Sequence, residues 1–173
     1  MKRLLPLCLL FLASCDPFGR FSDGPLLGYV PIYAPKASVN TITTAPVRST
    51  TKPGKIYAYG AYLFQVEQYE GIHIIDNSNP KEAKKIAFLK VPMATEIAIK
   101  SGHLYTNNVN DLVVFSLSNP AEPLLENRVK DAFPVIEQEY PPFNNTYFEC
   151  PDPAKGIVVG WEQKELTNPQ CRR

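Results

Sequence analysis

The chain has 173 residues, of which 18 are Lys or Arg and 17 are Asp or Glu, so its net charge is +1. The charges form no basic patch, which excludes nucleic acid as a partner because a phosphate backbone is held by clustered cations. Without residues 1–14 the charge falls to −1, and the remaining length is enough for one domain with its own core.

The N-terminus predicts a signal peptide over residues 1–14. A Lys-Arg pair at positions 2–3 precedes an almost wholly apolar run at 4–12, and two small residues then precede Cys15. A charged start, a short apolar stretch and a small-residue cleavage site are typical of secretory signals. The apolar run is about half of the roughly 20 residues that a membrane-spanning helix needs, so we expect no permanent transmembrane anchor.

The sequence Leu-Ala-Ser-Cys at residues 12–15 resembles the lipobox of bacterial lipoproteins. The resemblance implies that the chain is cut before Cys15 and that this cysteine carries the lipid. One acyl chain binds a membrane only marginally, and the three chains of that family would hold it firmly. We therefore expect a lipid-anchored protein of the bacterial cell envelope, at the inner or the outer membrane. The alternative is an ordinary signal peptide with a chance cysteine.

The four cysteines predict one disulfide. Cys8 leaves with the signal peptide and Cys15 takes the lipid, which leaves Cys150 and Cys171. An exported pair of this kind persists as a disulfide, and a loop of about 20 residues makes it worth roughly 3 kcal/mol. A metal site is the alternative, but two cysteines without a CxxC motif or a nearby His make a poor zinc site.

Residues 15–52 are rich in Pro and Gly and show little periodicity, which predicts a tether that lifts a domain off a membrane. Within the tether, Val39–Thr44 is β-branched and alternating, so a strand is expected there, which could serve as an edge strand of the domain. The domain itself is predicted to occupy residues 53–173.

Two segments repeat with an offset of about 40 residues: "GAYLFQVEQYEGIHIIDNSNP" at 60–80 and "GHLYTNNVNDLVVFSLSNP" at 102–120. A period of this length indicates a repeat architecture. Ile74 aligns with Val114 at the centre of the third strand of each unit, and both are predicted to be buried. Each unit is predicted to form four short strands. They are Ile56–Tyr59, Tyr62–Gln68, Ile72–Asp76 and Lys84–Lys90, then Glu96–Lys100, His103–Asn107, Leu112–Leu117 and Leu124–Val129.

Residues 72–80 resemble the LVIVD repeat, in which Leu-Val-Ile-Val-Asp precedes a Ser-Asn-Pro turn. Their sequence is Ile-His-Ile-Ile-Asp-Asn-Ser-Asn-Pro. Residues 112–120 form a second copy, with Ser116 where the pattern has Asp. The resemblance covers about residues 53–130. It implies propeller-like blades in secreted and surface proteins of bacteria, and no particular chemistry.

A third unit is predicted in part. Tyr147–Cys150 and Gly156–Trp161 match the second and third strands, whereas the final residues are too polar for a fourth and are held by the disulfide. The predicted fold is therefore all-β, with four-stranded antiparallel sheets in two clear units and one partial unit. Propellers usually close with four to eight blades. An open stack, a ring of several chains and a shortened propeller all remain open, and a homo-oligomer is among them.

No catalytic motif, metal site or cofactor site is predicted. His73 and His103 are isolated from other ligand side chains, and scattered loop acids do not reveal the fixed carboxylate pair of a glycosidase.

A cluster of rings beside two prolines is the candidate binding site: Tyr140, Phe143, Tyr147 and Phe148. Rings on a rigid β scaffold give contact area to glycans or peptides at little entropic cost, although they can also cover an exposed sheet edge. The expected function is a non-enzymatic binding or scaffold module for a protein or glycan partner. The alternative is an enzyme or accessory subunit acting on envelope polysaccharide or peptide.

Overall fold

The computed structural model describes residues 24–133 and 140–173 of the chain. These residues are mostly strand, which confirms the all-β prediction, and none of their helices is long and apolar enough to cross a bilayer. The predicted signal peptide at 1–14 and the predicted lipid site at Cys15 lie outside the described residues.

The described elements are one short α-helix, α1, two single-turn 3-10 helices at Pro80–Glu82 and Pro153–Lys155, and the strands β1 to β13. The helix is α1 (Lys36–Asn40), and the strands are β1 (Leu26–Ala34), β2 (Thr43–Ala45), β3 (Pro53–Tyr59), β4 (Tyr62–Glu67), β5 (Gly71–Asp76), β6 (Lys84–Lys90), β7 (Ile97–Lys100), β8 (His103–Asn108), β9 (Asp111–Ser116), β10 (Leu124–Val129), β11 (Tyr147–Phe148), β12 (Ile157–Leu166) and β13 (Cys171–Arg172).

The two sequence repeats fold as two equivalent antiparallel sheets. The first-repeat sheet has the strand order β2-β6-β5-β4-β3, and the second-repeat sheet has the order β10-β9-β8-β7. All eight strands predicted for the repeats are present, with bounds that differ by three residues or fewer. Gly71 is required where β5 begins, because a Cβ there would lie 2.2 Å from the carbonyl oxygen of Leu89.

The Ser-Asn-Pro turns also match in atomic detail. In the first repeat the side chain of Asn79 accepts a hydrogen bond from the backbone N–H of Lys81 at 3.2 Å and donates one to Glu82 at 3.0 Å. In the second repeat the side chain of Asn119 accepts from the N–H of Ala121, also at 3.2 Å. The Asn side chain thus accepts a hydrogen bond from a backbone N–H of the turn. That N–H has no partner in the strand ladder, because the proline interrupts the ladder there.

The main core lies between the two repeat sheets, which pack face to face. Because side chains alternate along a strand, each sheet gives one set of side chains to this core. The core is formed from Phe64, Val66, Ile72, Ile74, Leu89, Val91, Ala94, Ile97, Ile99, Leu104, Val113, Phe115 and Leu117.

Val114 is not buried in this core, which corrects the prediction made for it. The side chain of its repeat equivalent, Ile74, is 0% exposed, whereas Val114 is only half-buried and its neighbours Val113 and Phe115 occupy the core. The second-repeat sheet meets the first with the opposite face from the one that the first presents. Equivalent positions therefore face different surroundings.

The remaining strands form a terminal sheet with the order β12-β1-β11-β13. Strand β1 runs antiparallel to β12 from Leu26 opposite Leu166, and parallel to β11 at Tyr29 opposite Phe148. The predicted tether over 15–52 is therefore wrong from Leu26 onward, because β12 pairs with this segment. The last residues do form a short strand, β13, despite their polarity, since β11 and a disulfide hold it.

The strand predicted at Val39–Thr44 is also wrong in its first half. Val39 belongs to helix α1 and is buried with Met93 and Val109, in a small cluster that includes Ile157 from the terminal sheet. The edge strand β2 begins only at Thr43 and pairs with β6. An edge strand therefore exists near the predicted place, on the first-repeat sheet.

Candidate aromatic binding groove

A buried ring in the terminal sheet positions two neighbouring aromatic side chains. Phe148, on β11, is 3% exposed. Trp161 on β12 meets it edge to face with ring centroids 5.4 Å apart, and Tyr140 meets it in the same way at 6.4 Å. Edge-to-face pairs of this kind stabilise a fixed ring arrangement beyond the area that they bury. Phe148 therefore holds Trp161 and Tyr140 in place.

These rings border a groove of about 700 Å³ between the terminal sheet and the first-repeat sheet. Tyr140 and Trp161 line it from one side and Tyr69, in the turn between β4 and β5, from the other. The backbone of Tyr69 is fixed by hydrogen bonds with Ala94 and Met93, each 2.8 Å long. The groove is thus bounded by rings held on ordered backbone.

Two cations border the same groove, Lys52 and Arg173. The guanidinium of Arg173 lies 5.7 Å from the ring centroid of Tyr140 and donates a hydrogen bond to the carbonyl oxygen of Pro141 at 2.6 Å. The last residue of the chain therefore orders the segment that carries Tyr140. Rings with adjacent cationic donors can bind a ligand that has both apolar faces and polar or negatively charged groups.

A second groove of about 490 Å³ lies on the other side of Tyr140 and is lined by Tyr33, Phe148 and the disulfide. The hydroxyl oxygen of Tyr33 accepts a hydrogen bond from the backbone N–H of Asp152 at 2.8 Å. Tyr140, which is 47% exposed, is therefore shared by two neighbouring depressions.

Cys150 and Cys171 are joined by a disulfide with an S–S distance of 2.04 Å, which confirms the predicted pair. It links the second residue after β11 to the first residue of β13. Because β13 is only two residues long and leads directly to Arg173, the disulfide also holds the C-terminal side of the aromatic groove.

The four aromatic residues predicted as one site have different positions. Tyr140 lines both grooves and Phe148 lies beneath it, buried. Phe143 is exposed and packs on Tyr29 with centroids 6.2 Å apart. Tyr147 stacks under the guanidinium of Arg172 at 5.3 Å. Neither of the last two lines either of these two grooves.

Sequence reasoning missed Trp161 and Tyr69. Trp161 is the chain's single tryptophan and was assigned only to a strand; its rarity was the available signal. Tyr69 gave no signal, because its place beside the terminal sheet depends on contacts between residues far apart in the chain.

Residues 52–82 and 93–131 match the family model of the LVIVD repeat. The chain contains two LVIVD repeats. The first range contains β3, β4 and β5 of the first-repeat sheet, and the second contains all four strands of the second-repeat sheet, so the sequence resemblance is confirmed in both copies. Comparison with curated proteins gives no match, and comparison with solved structures gives none either.

The first LVIVD repeat contains a fully buried His-Glu pair. His73 Nε2 lies 3.0 Å from Glu67 Oε2, and both side chains are 0% exposed. Glu67 Oε1 also accepts hydrogen bonds from the N–H and the hydroxyl of Thr51, at 2.8 and 2.7 Å, and from the N–H of Lys52. The carboxylate thus fixes the chain where it enters β3.

Burial raises the pKa of Glu67, but the hydrogen bonds from Thr51, Lys52 and His73 outweigh it and lower the pKa to about 2. Burial lowers the pKa of His73, and the hydrogen bond with Glu67 opposes this only in part. His73 Nδ1 has no partner among the described residues, which fits a neutral ring whose proton is on Nε2 and points at Glu67. Neither side chain lines the two grooves, although Glu67 accepts a hydrogen bond from the N–H of Lys52, which borders one of them.

In the second LVIVD repeat, a neutral side chain makes similar hydrogen bonds at the entry to the sheet. Asn107 Oδ1 accepts hydrogen bonds from the N–H of Thr95 at 2.9 Å and the N–H of Glu96 at 3.2 Å, where the chain enters β7. His103 lies elsewhere, half-buried, with Nε2 3.0 Å from Glu126. Within residues 24–133 and 140–173, no three His, Cys, Asp or Glu side chains cluster as a metal site would require.

Proposed function

We propose that this LVIVD-repeat protein is a binding module of the bacterial cell envelope, anchored by lipid, whose aromatic groove binds a glycan. The observation that carries the proposal is the lining of the groove, where Tyr69, Tyr140 and Trp161 surround one depression with Lys52 and Arg173 at its edge. Sugar rings have apolar C–H faces that pack on aromatic side chains, and their hydroxyl and carboxylate groups accept hydrogen bonds from cations.

The groove is about the size expected for a small-ligand site, since such pockets commonly measure 300–1,000 Å³. Its cations favour saccharides that carry carboxylates over neutral ones. Of the described side chains that line the two grooves, one is a carboxylate, Asp152, which accepts a hydrogen bond from the N–H of Ala154 at 2.9 Å. The retaining and inverting mechanisms of glycosidases use two carboxylates that face each other.

The envelope part of the proposal rests on the sequence. The signal-like residues 1–14, followed by Cys15 in Leu-Ala-Ser-Cys, support export and lipidation. The disulfide Cys150–Cys171 is of the kind that persists outside the reducing cytosol. A membrane-anchored module would present the groove to polymers in the same compartment.

The binding test uses the fluorescence of Trp161, the only tryptophan in the chain, which borders the groove. Muropeptides, which carry carboxylates, should change its emission in a saturable way, and neutral chito-oligosaccharides should do so more weakly. Tyr140→Ala should weaken binding about tenfold or more with nearly unchanged thermal stability, because Tyr140 is half exposed.

Phe143→Ala is the matched control, since it removes an exposed ring from the same segment but outside the described groove lining. It should leave the affinity unchanged. Equal losses in the two variants, or no saturable signal with any saccharide, would contradict a glycan groove. Saturation with envelope peptides alone would assign the groove to a protein partner, and release of a cleaved product would favour the enzyme alternative.

Lipidation is tested separately by the intact mass of the protein extracted from membranes. We expect a chain that begins at Cys15 and carries acyl groups. A Cys15→Ala variant that remains fully membrane-bound, or a mature chain beginning after Cys15, would contradict the lipid anchor without affecting the groove.

A further inference from the structure

A strap formed by residues 46–52 crosses the outer face of the first-repeat sheet, between β2 and β3. Ile72 and Ile74 point into the main core, so His73 between them points to the outer face. The strap has no regular secondary structure and is largely exposed. His73 and Glu67 beneath it are nevertheless 0% exposed. An irregular surface segment thus covers two buried titratable side chains.

The first half of the strap is held by charged side chains. Lys85 Nζ, on β6, donates hydrogen bonds to the carbonyl oxygen of Arg48 at 2.9 Å and to the hydroxyl of Thr50 at 2.6 Å. The guanidinium of Arg48 in turn lies 3.1 Å from the carboxylate of Glu70. These contacts place two positive charges on the outer face of the sheet, near His73.

The second half of the strap ends at the aromatic groove. Glu67 Oε1 accepts hydrogen bonds from the N–H of Thr51 at 2.8 Å and from the N–H of Lys52. The carbonyl oxygen of Lys52 accepts a further one from the N–H of Gln68 at 2.9 Å. Lys52 borders the groove, and Tyr69, the residue after Gln68, lines it. Glu67 therefore fixes the backbone of a groove cation from beneath the strap.

His73 gains a proton at a cost while the strap is closed. Its Nε2 lies 3.0 Å from Glu67 Oε2 and 3.4 Å from the Thr50 hydroxyl, whereas Nδ1 has no partner in the described part of the chain. Burial lowers the pKa of His73, and its hydrogen bond with Glu67 opposes this. The positive charges of Lys85 and Arg48 add to the lowering. A proton therefore binds His73 better when the strap is open.

We propose that the Glu67–His73 pair positions Lys52 at the groove by holding the strap closed, and that protonation of His73 opens the strap. Opening gives both buried side chains access to water and withdraws Lys52 from the groove. Ligand binding and protonation then oppose each other, because each favours a different state of the strap. This last step rests on the proposed glycan groove, whereas the opening of the strap does not.

Amide hydrogen exchange of the full-length protein in mild detergent, followed by NMR, tests the opening without a ligand. The N–H groups of Thr51, Lys52 and Gln68 should share one opening constant, because the same movement breaks their hydrogen bonds. After correction for the intrinsic exchange rate, this constant should rise up to about tenfold per pH unit below 6.5, the ordinary pKa of His.

The second repeat supplies the matched control. The N–H groups of Thr95 and Glu96 bond to Asn107 Oδ1 at the equivalent place, and an amide does not titrate, so their exchange should show no such dependence. The N–H of Ile72, in the middle of the sheet, should exchange more slowly than the strap at every pH. Strap amides as slow as that of Ile72 would mean that the strap opens only with the whole domain, which would overturn the proposal.

Two variants test the residues that carry the proposal. His73→Gln should remove the pH dependence of strap exchange above about pH 5.5, because its amide can still donate to Glu67 but does not titrate. Lys85→Met leaves the buried pair intact and removes two hydrogen bonds to the strap, so it should raise the opening constant at every pH while the dependence remains. No dependence in the parent protein, or a dependence that persists in His73→Gln, would overturn the proposal.

The coupling to the groove is measured with a muropeptide whose binding is followed by Trp161 fluorescence. At ten times its dissociation constant it should slow exchange at Lys52 about tenfold, because it binds the closed strap. A bound muropeptide that leaves this exchange unchanged would overturn the coupling. The absence of any fluorescence change would contradict the proposed function, whereas the strap is decided by the exchange measured without ligand.

Discussion

The two LVIVD repeats have the same strands and the same Ser-Asn-Pro turns, yet they differ in how much of each strand is buried. Ile74 is completely buried and its equivalent Val114 is half-buried. The outer edge of β6 is paired with β2, whereas no strand among residues 24–133 and 140–173 pairs with the outer edge of β10. Local sequence therefore reproduces local structure, and burial depends on a unit's place in the stack.

The polar side chain that accepts hydrogen bonds at the entry to each sheet is also more buried in the first repeat than in the second. Glu67 is a buried carboxylate that is hydrogen-bonded by Thr51, Lys52 and His73. Asn107 is a half-buried amide that accepts from Thr95 and Glu96. A charged group is retained where neighbouring donors satisfy it, and a neutral group suffices where water can reach the site.

The largest expected difference between the repeats comes from removing these two side chains. Glu67→Ala should lower the free energy of unfolding by about 3–5 kcal/mol, because it removes the acceptor of two backbone N–H groups and the main hydrogen-bond partner of the buried His73. Asn107→Ala should cost about 1–2 kcal/mol, since water can replace part of what is lost. Urea unfolding with unchanged m-values measures both. Equal costs would contradict the difference in burial.

The next difference comes from the equivalent core positions. Ile74→Ala should cost about 2–5 kcal/mol through lost burial and a cavity. Val114→Ala should cost about 1 kcal/mol or less, because only part of its side chain leaves water on folding. A cost for Val114→Ala as large as that for Ile74→Ala would mean that Val114 is buried as completely as Ile74.

Acid should destabilise both repeats, but through different groups. In the second repeat, burial raises the pKa of Asp111, and the hydrogen bonds from Arg128 and the N–H of Asp131 outweigh this and lower it. The lowered pKa values of His73 and Glu67 mean that the unfolded chain binds protons more readily than the folded one. Stability should therefore fall as the pH drops below the ordinary His value of 6.5, and again from 4.5 towards about 2.

Glu67→Gln tests the lower part of this range. It should reduce the loss of stability between pH 4.5 and 2, with the part that comes from Asp111 remaining, and should leave the loss near pH 6.5, as followed by urea midpoints at each pH. Asn107→Ala, the control in the second repeat, should shift the whole curve and leave its slope unchanged. An unchanged slope in Glu67→Gln would rule out Glu67 as the titrating group.

The smallest effect is expected at the turns, where the two repeats should agree. Pro80→Ala and Pro120→Ala should each change the free energy of unfolding by less than about 1 kcal/mol, because turn prolines act largely through the unfolded state. Thermal melting of both variants is sufficient. A large effect in only one of them would show that the two turns are not equivalent.

Prediction from sequence succeeded where the pairing partners are close together in the chain. Within each repeat, neighbouring strands are joined by short turns, and their alternation, the glycines and the Asn-Pro ends predict them directly. The disulfide followed from counting the cysteines of an exported chain. The groove was predicted only in part, because Tyr140 borders it as expected but Trp161 and Tyr69 were not among the predicted residues.

The sequence by itself determined the two repeats, their eight strands and the covalent link between Cys150 and Cys171, because these depend on local periodicity and on residue counts. Only the tertiary structure decided that Leu26–Ala34 is a strand, that it pairs with Ile157–Leu166, and that Ile74 and Val114 differ in burial. Pairing across more than a hundred residues, and the choice of which sheet face meets which, depend on the packing of whole sheets, and no local pattern encodes them.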